Sequence, residues 1–240
     1  MPAESDPSRG ESPGVPVAWE SLRRHPIFWP RLGAIAVLLL LGAAFLQLAI
    51  AAGRYPGGSW VDLRQTGHHF WANFVCDLGR DPAVNGDPNP GAHWGQNGQW
   101  TLILAVAVFW WTLPVLFPIG RWSRVVRVAG SISSLGFLLV PLTREGPHAL
   151  ALLAAGLPGL AAAVIGAFAL WPRKALAILG WVALSLSAAD LVLYLHHREG
   201  LVPLVVPLLQ RLALSAAAVW MAACAVTALR SKPGAADSRA

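Results

Sequence analysis

Long apolar runs alternate with short polar joints along most of the chain. A helix needs about 20 residues to cross a hydrocarbon core of roughly 30 Å, and the apolar runs provide six such helices. Lipid cannot bond to an exposed backbone, whereas a spanning helix satisfies its own polar groups. The pattern therefore predicts an all-α, polytopic membrane bundle of six transmembrane helices. The predicted spans are Leu32–Ala52, Gly98–Ile119, Val125–Leu142, Ala149–Trp171, Ala175–Leu195 and Pro203–Leu229.

Both chain ends differ in composition from the predicted transmembrane domain, residues 32–229. Residues 1–31 are rich in Pro, Ser, Gly and Glu, which cannot bury a core, so we expect a disordered tail there and a short second tail at 230–240. A rival interpretation makes Leu32–Ala51 a signal peptide, because Ala49, Ile50 and Ala51 offer a small-residue cleavage pattern. The apolar run exceeds the usual signal core of about 7 to 15 residues, which favours an uncleaved helix.

The charge distribution predicts an orientation. Lys and Arg number 18 against 12 Asp and Glu, for a net charge of +6. When the chain is followed through the six spans, 12 of the 18 basic residues fall on the side of both termini. The positive-inside rule then predicts cytoplasmic termini in an inner (cell) membrane, and the expected partner is the lipid bilayer, not nucleic acid. These residues are Arg9, Arg23, Arg24, Arg31, Arg121, Arg124, Arg127, Arg173, Lys174, Arg230, Lys232 and Arg239.

The first outer loop, residues 53–97, is long, while the other joints are short. Unstructured loops of that length are uncommon unless they are functional or disordered. Aromatic residues favour the membrane surface, so the loop is predicted to be an ordered cap over the bundle. Its six aromatic residues are Tyr55, Trp60, Phe70, Trp71, Phe74 and Trp94.

Within this loop, Gln65–Leu78 is predicted to be a short interfacial helix that ends at Gly79. Two sets of residues recur every four positions, which places an apolar stripe beside a polar stripe. The apolar set is Phe70, Phe74 and Leu78, and the polar set is His69, Asn73 and Asp77.

Asp190 is the only acidic residue inside a predicted span, and Arg211 is the only basic residue well inside one. A charge near a helix centre costs roughly 2.5 to 3.5 kcal/mol on insertion scales, so each charge requires a partner or water. The depths of the two residues differ by only about 5 Å at 1.5 Å per residue, which predicts an ion pair between the fifth and sixth helices. The pair either locks two helices together or forms part of a site, because Tyr194 and His197 share the face of Asp190.

These residues and the polar stripe of the loop define a predicted pocket below the outer surface. Metal ligands within it are an open alternative, with Asp77, His93 and His197 as the candidates. No HExxH, CxxC or GxSxG signature occurs, and Cys76 and Cys224 lie at opposite ends of the predicted bundle, so no disulfide is expected. The pocket residues are His69, Asn73, Asp77, His93, Asp190, Tyr194, His197 and Arg211.

An Asn-x-x-x-Asp-Leu-Gly element followed by a Gly/Asn/Pro turn resembles the first outer loop of a broad group of uncharacterised bacterial six-helix integral membrane proteins. This resemblance implies the architecture and little chemistry. A more distant similarity is to membrane hydrolases of the alkaline ceramidase type, and it implies a zinc site of His and Asp near one face of the bundle. The final helix lacks a His-x-x-x-His pair, and only His196 and His197 lie at its approach. The first resemblance rests on Asn73, Asp77, Leu78, Gly79, Asn85, Gly86 and Asn89.

Three functions are consistent with these residues, and the sequence does not decide whether the protein is an enzyme. The pocket binds or transports a small amphiphile without chemistry, which the lack of a metal signature favours. Alternatively, the protein is a metal-assisted hydrolase that acts on a lipid. The third alternative is a structural membrane subunit that docks a partner through the aromatic cap.

Overall fold

In the computed structural model of the chain, residues 28–117, 120–143, 145–197 and 205–231 are described. Within these ranges the chain is all-α, with no strand, and six helices are long and apolar enough to cross a membrane. The predicted six-helix architecture is therefore confirmed, and the chain is a multi-pass membrane protein. The helices are α1 (Phe28–Arg54), α2 (Ala92–Thr112), α3 (Arg121–Leu139), α4 (Glu145–Ala169), α5 (Lys174–His197) and α6 (Val205–Arg230).

The helix boundaries differ from the predicted ones at several ends. Helix α1 begins at Phe28, so residues 28–31 of the predicted tail 1–31 are helical. The rest of that tail, residues 1–27, lies outside the described residues, as do residues 232–240. A 3-10 turn, Leu113–Leu116, follows α2, and Pro114 lies in its first turn. Because proline lacks the backbone donor of a helical bond, the regular α-helix ends there.

The six helices form a closed ring. Each helix packs on its neighbour in sequence, and α6 returns to pack on α1. Aromatic rings fill the centre, where Phe109 and Trp220 have centroids 5.2 Å apart and Trp110 lies 6.4 Å from Trp220. Gly130 of α3 lies against the ring of Trp110, where a Cβ would clash. Small residues therefore admit large aromatic ones, as expected for helices that pack inside lipid.

The polar segment between α1 and α2, residues 55–91, forms a cap over one end of the ring, which we call the cap end. Its first part doubles back, since the Gly58 N–H donates to Gln65 O at 2.7 Å and the Gly67 N–H donates to Pro56 O at 3.0 Å. Its second part packs Val75 and Leu78 in an apolar cluster at the ends of α1 and α2. The opposite end, where α1 begins and α6 ends, is called the basic end.

The predicted helix Gln65–Leu78 is wrong in extent, because only Cys76–Gly79 is helical, as a single 3-10 turn. Two side chains of the predicted polar stripe bond to the backbone instead. Asn73 Oδ1 accepts from the His69 N–H at 2.9 Å, and Asp77 Oδ2 accepts from the Phe74 N–H at 2.8 Å. Short Asn and Asp side chains compete with helical bonds in this way.

Helix α2 approaches the cap closely at Gly95, where a Cβ would clash with Leu78 O and lie 2.7 Å from Gly79 N. The neighbouring atoms are backbone, which cannot move aside cheaply. We expect Gly95→Ala to destabilise the protein by about 1 to 3 kcal/mol, measured as the free energy of unfolding in detergent.

Gly42 of α1 is the matched control, because nothing lies within 4 Å of the position that a Cβ would occupy there. Gly42→Ala should leave stability unchanged or raise it slightly, since alanine favours helix over glycine. Equal stability of the two variants would contradict the close approach at Gly95.

Candidate functional site

Arg211 of α6 lies at the centre of the candidate site, where the cap meets the bundle. It is six residues after the first residue of α6, about 9 Å along the axis at 1.5 Å per residue. The residue is only 7% exposed. Its Nη2 donates to Nε2 of His68 at 2.9 Å and to the backbone carbonyl of Asn73 at 3.3 Å. The cap therefore supplies the partners of a buried cation.

Two further features complete the surroundings of this guanidinium. The ring of Phe70 covers it, with the guanidinium carbon 5.0 Å from the ring centroid. Its Nε atom is buried and has no hydrogen-bond partner among the described residues. Asp77 interacts with Arg211 through its charge, without a hydrogen-bonded ion pair in the described part of the chain. The direct partners of Arg211 are thus neutral groups.

His68 is an acceptor in this site. A guanidinium has donors only, so Nε2 of His68 must accept and the ring proton must reside on Nδ1. Burial lowers the pKa of His68 to about 4, and the positive charge of Arg211 and then His69 act in the same direction. The imidazole is therefore neutral at pH 7, which is the state that this bond requires.

Asn73 organises the first half of the cap. Its side chain is fully buried, and its Nδ2 donates to Gly58 O at 2.7 Å. Its Oδ1 accepts from Gln65 Nε2 and from the His69 N–H, both at 2.9 Å. The Asn73 side chain therefore joins three parts of the cap, while the backbone carbonyl of Asn73 accepts from Arg211.

Asp77 organises the second half. It is 2% exposed, and its Oδ1 accepts from Trp60 Nε1 at 3.1 Å while Oδ2 accepts from the Phe74 N–H. Burial raises the pKa of Asp77, and the bonds from Trp60 and Phe74 oppose that rise in part. Burial also raises the pKa of the neighbouring Cys76 thiol, so this thiol is a poor nucleophile.

Three amides fasten the cap to the helices and close its last turn. Gln210 Oε1 of α6 accepts from the Val75 N–H at 2.8 Å, and Gln99 Nε2 of α2 donates to Val75 O at 3.2 Å. Asn89 Nδ2 donates to Leu78 O at 3.3 Å and to Arg80 O at 2.8 Å. These backbone groups of the cap are therefore satisfied by protein, as a position near lipid requires.

Of the predicted pocket residues, the structure brings Asn73, Asp77 and Arg211 together. Tyr194 of α5 contacts the cap through Phe74, with ring centroids 6.0 Å apart. The predicted ion pair between Asp190 and Arg211 is not formed among the described residues, and Asp190 Oδ1 is buried without a hydrogen-bond partner there. Arg211 instead donates to His68 and to the backbone carbonyl of Asn73, both in the cap.

The predicted histidines have other roles. His69 and His93 are exposed. His69 contributes to the network through its backbone, because its N–H donates to Asn73 Oδ1 and its carbonyl accepts from the Asn73 N–H at 3.0 Å. The ring of His93 contacts Trp94 at a centroid distance of 5.3 Å. The side chain of His197 lies outside the described residues.

The predicted pocket does not include His68 and Gln65. The predicted helical register places His69 at the inward position, whereas the non-helical backbone directs His68 to Arg211. Gly67, with φ of 65°, is the signal that a helix does not pass through this point.

A metal site has no ligand set in the part of the chain that the structure describes, where no group of three or more His, Cys, Asp or Glu side chains gathers. Both oxygens of Asp77 accept hydrogen bonds within the cap. His148, another polar residue of the cap end, donates its Nδ1 proton to Val140 O at 3.0 Å or Thr143 O at 3.2 Å. Polar contacts that order the backbone account for these residues.

No family model matches the sequence, and no curated protein or solved structure gives a significant match. The resemblance drawn from the Asn-x-x-x-Asp-Leu-Gly element and the more distant similarity to membrane hydrolases therefore stay predictions. The geometry of the site carries the functional interpretation.

The lowered pKa of His68 predicts a pH dependence of stability. The unfolded chain takes up a proton on this ring near pH 6.5, whereas the folded protein does so only near pH 4. Between these values the unfolded state binds more protons, so stability falls as the pH falls. We expect the Tm to decrease from pH 6.5 to pH 4. His68→Gln should reduce that decrease, because glutamine does not titrate in this range while its amide oxygen still accepts from Arg211.

His69→Gln is the matched control, since His69 is the exposed neighbour. The raised pKa of Asp77 acts in the opposite sense, because the folded state then binds its proton more readily. Both variants retain Asp77, so the difference between their pH profiles reports His68. Identical Tm profiles for the two variants would contradict this role.

Proposed function

We propose that the protein binds the anionic headgroup of a small amphiphile at Arg211, beneath the cap. In this proposal the cap lies in the outer leaflet of an inner (cell) membrane, and both termini are cytoplasmic. The asymmetry of charge supports the orientation, because cytoplasmic ends of membrane helices are enriched in Lys and Arg. The described cations of the basic end are Arg31, Arg121, Arg124, Arg127, Arg173, Lys174 and Arg230.

The single observation that carries the proposal is a buried cation bonded only to neutral groups. Burying a charge in a protein costs on the order of several kcal/mol unless the charge is paired and hydrogen-bonded. Arg211 has His68 and the Asn73 carbonyl as partners, and its Nε has none among the described residues. A carboxylate or phosphate oxygen at Nε would satisfy that donor and supply the missing charge.

Asp77 does not replace such a ligand. Its two oxygens already accept from Trp60 and from the Phe74 backbone, and burial favours its neutral form, since it raises the pKa of this carboxyl. The carboxyl group of Asp77 is therefore committed to the cap, and the Nε donor of Arg211 stays without an acceptor among the described residues.

Phe70 and Trp71 mark the route to the guanidinium. Phe70 is 48% exposed and Trp71 is 50% exposed, and their rings meet edge to face at 4.5 Å. Aromatic side chains favour the membrane interface, where one end is apolar and the other is wet. A rotation of the Phe70 side chain uncovers Arg211, while the apolar part of the ligand packs against the two rings.

The second candidate function is a structural subunit that docks a partner through the cap. Exposed apolar side chains on an ordered scaffold favour it, since such patches mark interaction sites. These side chains are Trp60, Val61, Leu63, Phe70 and Trp71. The metal-assisted lipid hydrolase stays a prediction without a supporting ligand group in the described residues.

The proposal is tested by binding of dodecyl phosphate to the purified protein in phosphatidylcholine nanodiscs, measured by calorimetry. Arg211→Gln should weaken binding at least about tenfold, because hydrogen bonds to charged groups contribute about 1.5 to 3 kcal/mol. Arg64→Gln, which removes an exposed cap arginine, should leave the affinity unchanged. Dodecanol, which lacks the charge, should not distinguish the variants.

Arg211→Lys separates binding from folding, since it keeps the charge and loses the planar donor pattern. Its thermal stability should stay closer to that of the wild type than that of Arg211→Gln. Equal affinity of wild type and Arg211→Gln for dodecyl phosphate would overturn the proposal and leave cap docking as the better account.

A further inference from the structure

A second arginine lies within a helix at the basic end. Arg127 of α3 is six residues after the first residue of that helix, about 9 Å along the axis at 1.5 Å per residue. The sequence pattern assigned it only to the basic residues on the side of the termini. The structure places it on the wall of a groove of about 580 Å³, which α1, α2 and α3 line together.

The guanidinium of Arg127 is held beside this groove by an aromatic ring. Its carbon lies 5.8 Å from the ring centroid of Trp111. Trp111 of α2 is in turn held against α3, because its Nε1 donates to Ser131 Oγ at 3.1 Å. The Nε of Arg127 is buried and has no hydrogen-bond partner within the described ranges. The Nε–H of Arg127 is therefore a buried donor that lacks an acceptor among the described residues.

The described part of the chain offers no carboxylate to this donor. All Asp and Glu residues of the described ranges belong to the cap or to the cap-end halves of α4 and α5, and the basic end has cations only. Charge complementarity therefore points to an anion from outside the described residues. The described acidic residues are Asp62, Asp77, Asp81, Asp87, Glu145 and Asp190.

We infer that this groove binds one anionic phospholipid of the leaflet at the basic end, with its phosphate on Arg127 and one acyl chain along the groove. The remaining lining is almost wholly apolar, from Trp29 and Ala107 to Val115. Trp111 is 61% exposed on the outer surface of the ring of helices. An apolar channel that ends at a cation fits a lipid, whereas a soluble anion would leave the channel empty.

The depth of Arg127 agrees with this occupant. A guanidinium about 9 Å below the helix end at 1.5 Å per residue reaches back along its own side chain towards the headgroup level, as long basic side chains do in membranes. A volume of about 580 Å³ lies within the usual range of small-ligand sites, roughly 300 to 1,000 Å³. The site is independent of Arg211, which lies at the opposite end.

Lipid retention by the full-length protein tests the inference. Native mass spectrometry would count dioleoyl phosphatidylglycerol and dioleoyl phosphatidylcholine bound to the delipidated protein in detergent. Arg127→Gln should weaken phosphatidylglycerol binding by about fivefold or more, the contribution of one cation to an anionic lipid. Phosphatidylcholine, which has no net charge, should bind weakly and equally to both proteins.

Arg124→Gln is the matched control, since Arg124 is exposed on the same helix one turn away. It should change phosphatidylglycerol binding less than about twofold on the same scale. Equal losses in Arg124→Gln and Arg127→Gln would overturn the inference, because they would indicate a diffuse surface charge and no built site.

Two further variants keep the test independent of folding. Arg127→Lys retains the charge and should retain most of the lipid. Ala107→Leu narrows the groove without changing charge and should weaken phosphatidylglycerol binding, because the acyl chain loses space. Displacement of the lipid by an excess of inorganic phosphate would overturn the lipid assignment in favour of a soluble anion.

Discussion

The inability of lipid to form hydrogen bonds is the constraint on which the structure of the cap depends. A polar segment can lie against a helical bundle only when the protein itself satisfies its backbone groups. Asn73 meets much of this demand, because one fully buried amide joins Gly58, Gln65 and the His69 backbone. Gln210 and Gln99 then attach the same segment to α6 and α2 through the two polar groups of Val75.

The network also decides the position of the buried cation. Arg211 reaches the cap instead of Asp190, because His68 and the Asn73 carbonyl already present acceptors to it. The acceptor state of His68 follows from its neutral ring, and that neutrality follows from the low pKa that burial beside Arg211 imposes. Cap order and the charge of α6 are therefore coupled. The ligand proposed for Arg211 would therefore act on the cap at the same time.

Each end of the bundle contains an arginine with the same local arrangement, in different surroundings. Arg211 at the cap end and Arg127 at the basic end each lie six residues inside a helix, under an aromatic ring, with a buried Nε that lacks a partner in the described residues. At the cap end, polar groups of the loop supply partial compensation. At the basic end, the described chain supplies none.

The bundle could be predicted from the sequence because the length of an apolar run alone determines whether a helix can span lipid. The cap could not be predicted in detail, since a four-residue spacing fits a helix equally well whether or not Asn73 and Asp77 bond to their own backbone. The wrong helical register therefore placed His69 in the predicted pocket instead of His68. The hydrogen-bond partners of Arg211 could not be predicted either, because depth along a helix does not specify the direction of a side chain.

Hydrogen–deuterium exchange of residues 67–80 in nanodiscs most directly tests whether one buried amide orders the cap. The account predicts slow exchange in the wild type and in Asn85→Ala, because within the described ranges the Asn85 side chain bonds only to Asp87. Asn73→Ala should accelerate exchange throughout 67–80 while the helices stay protected. Rapid exchange of these residues in the wild type, or none of this acceleration in Asn73→Ala, would contradict the account.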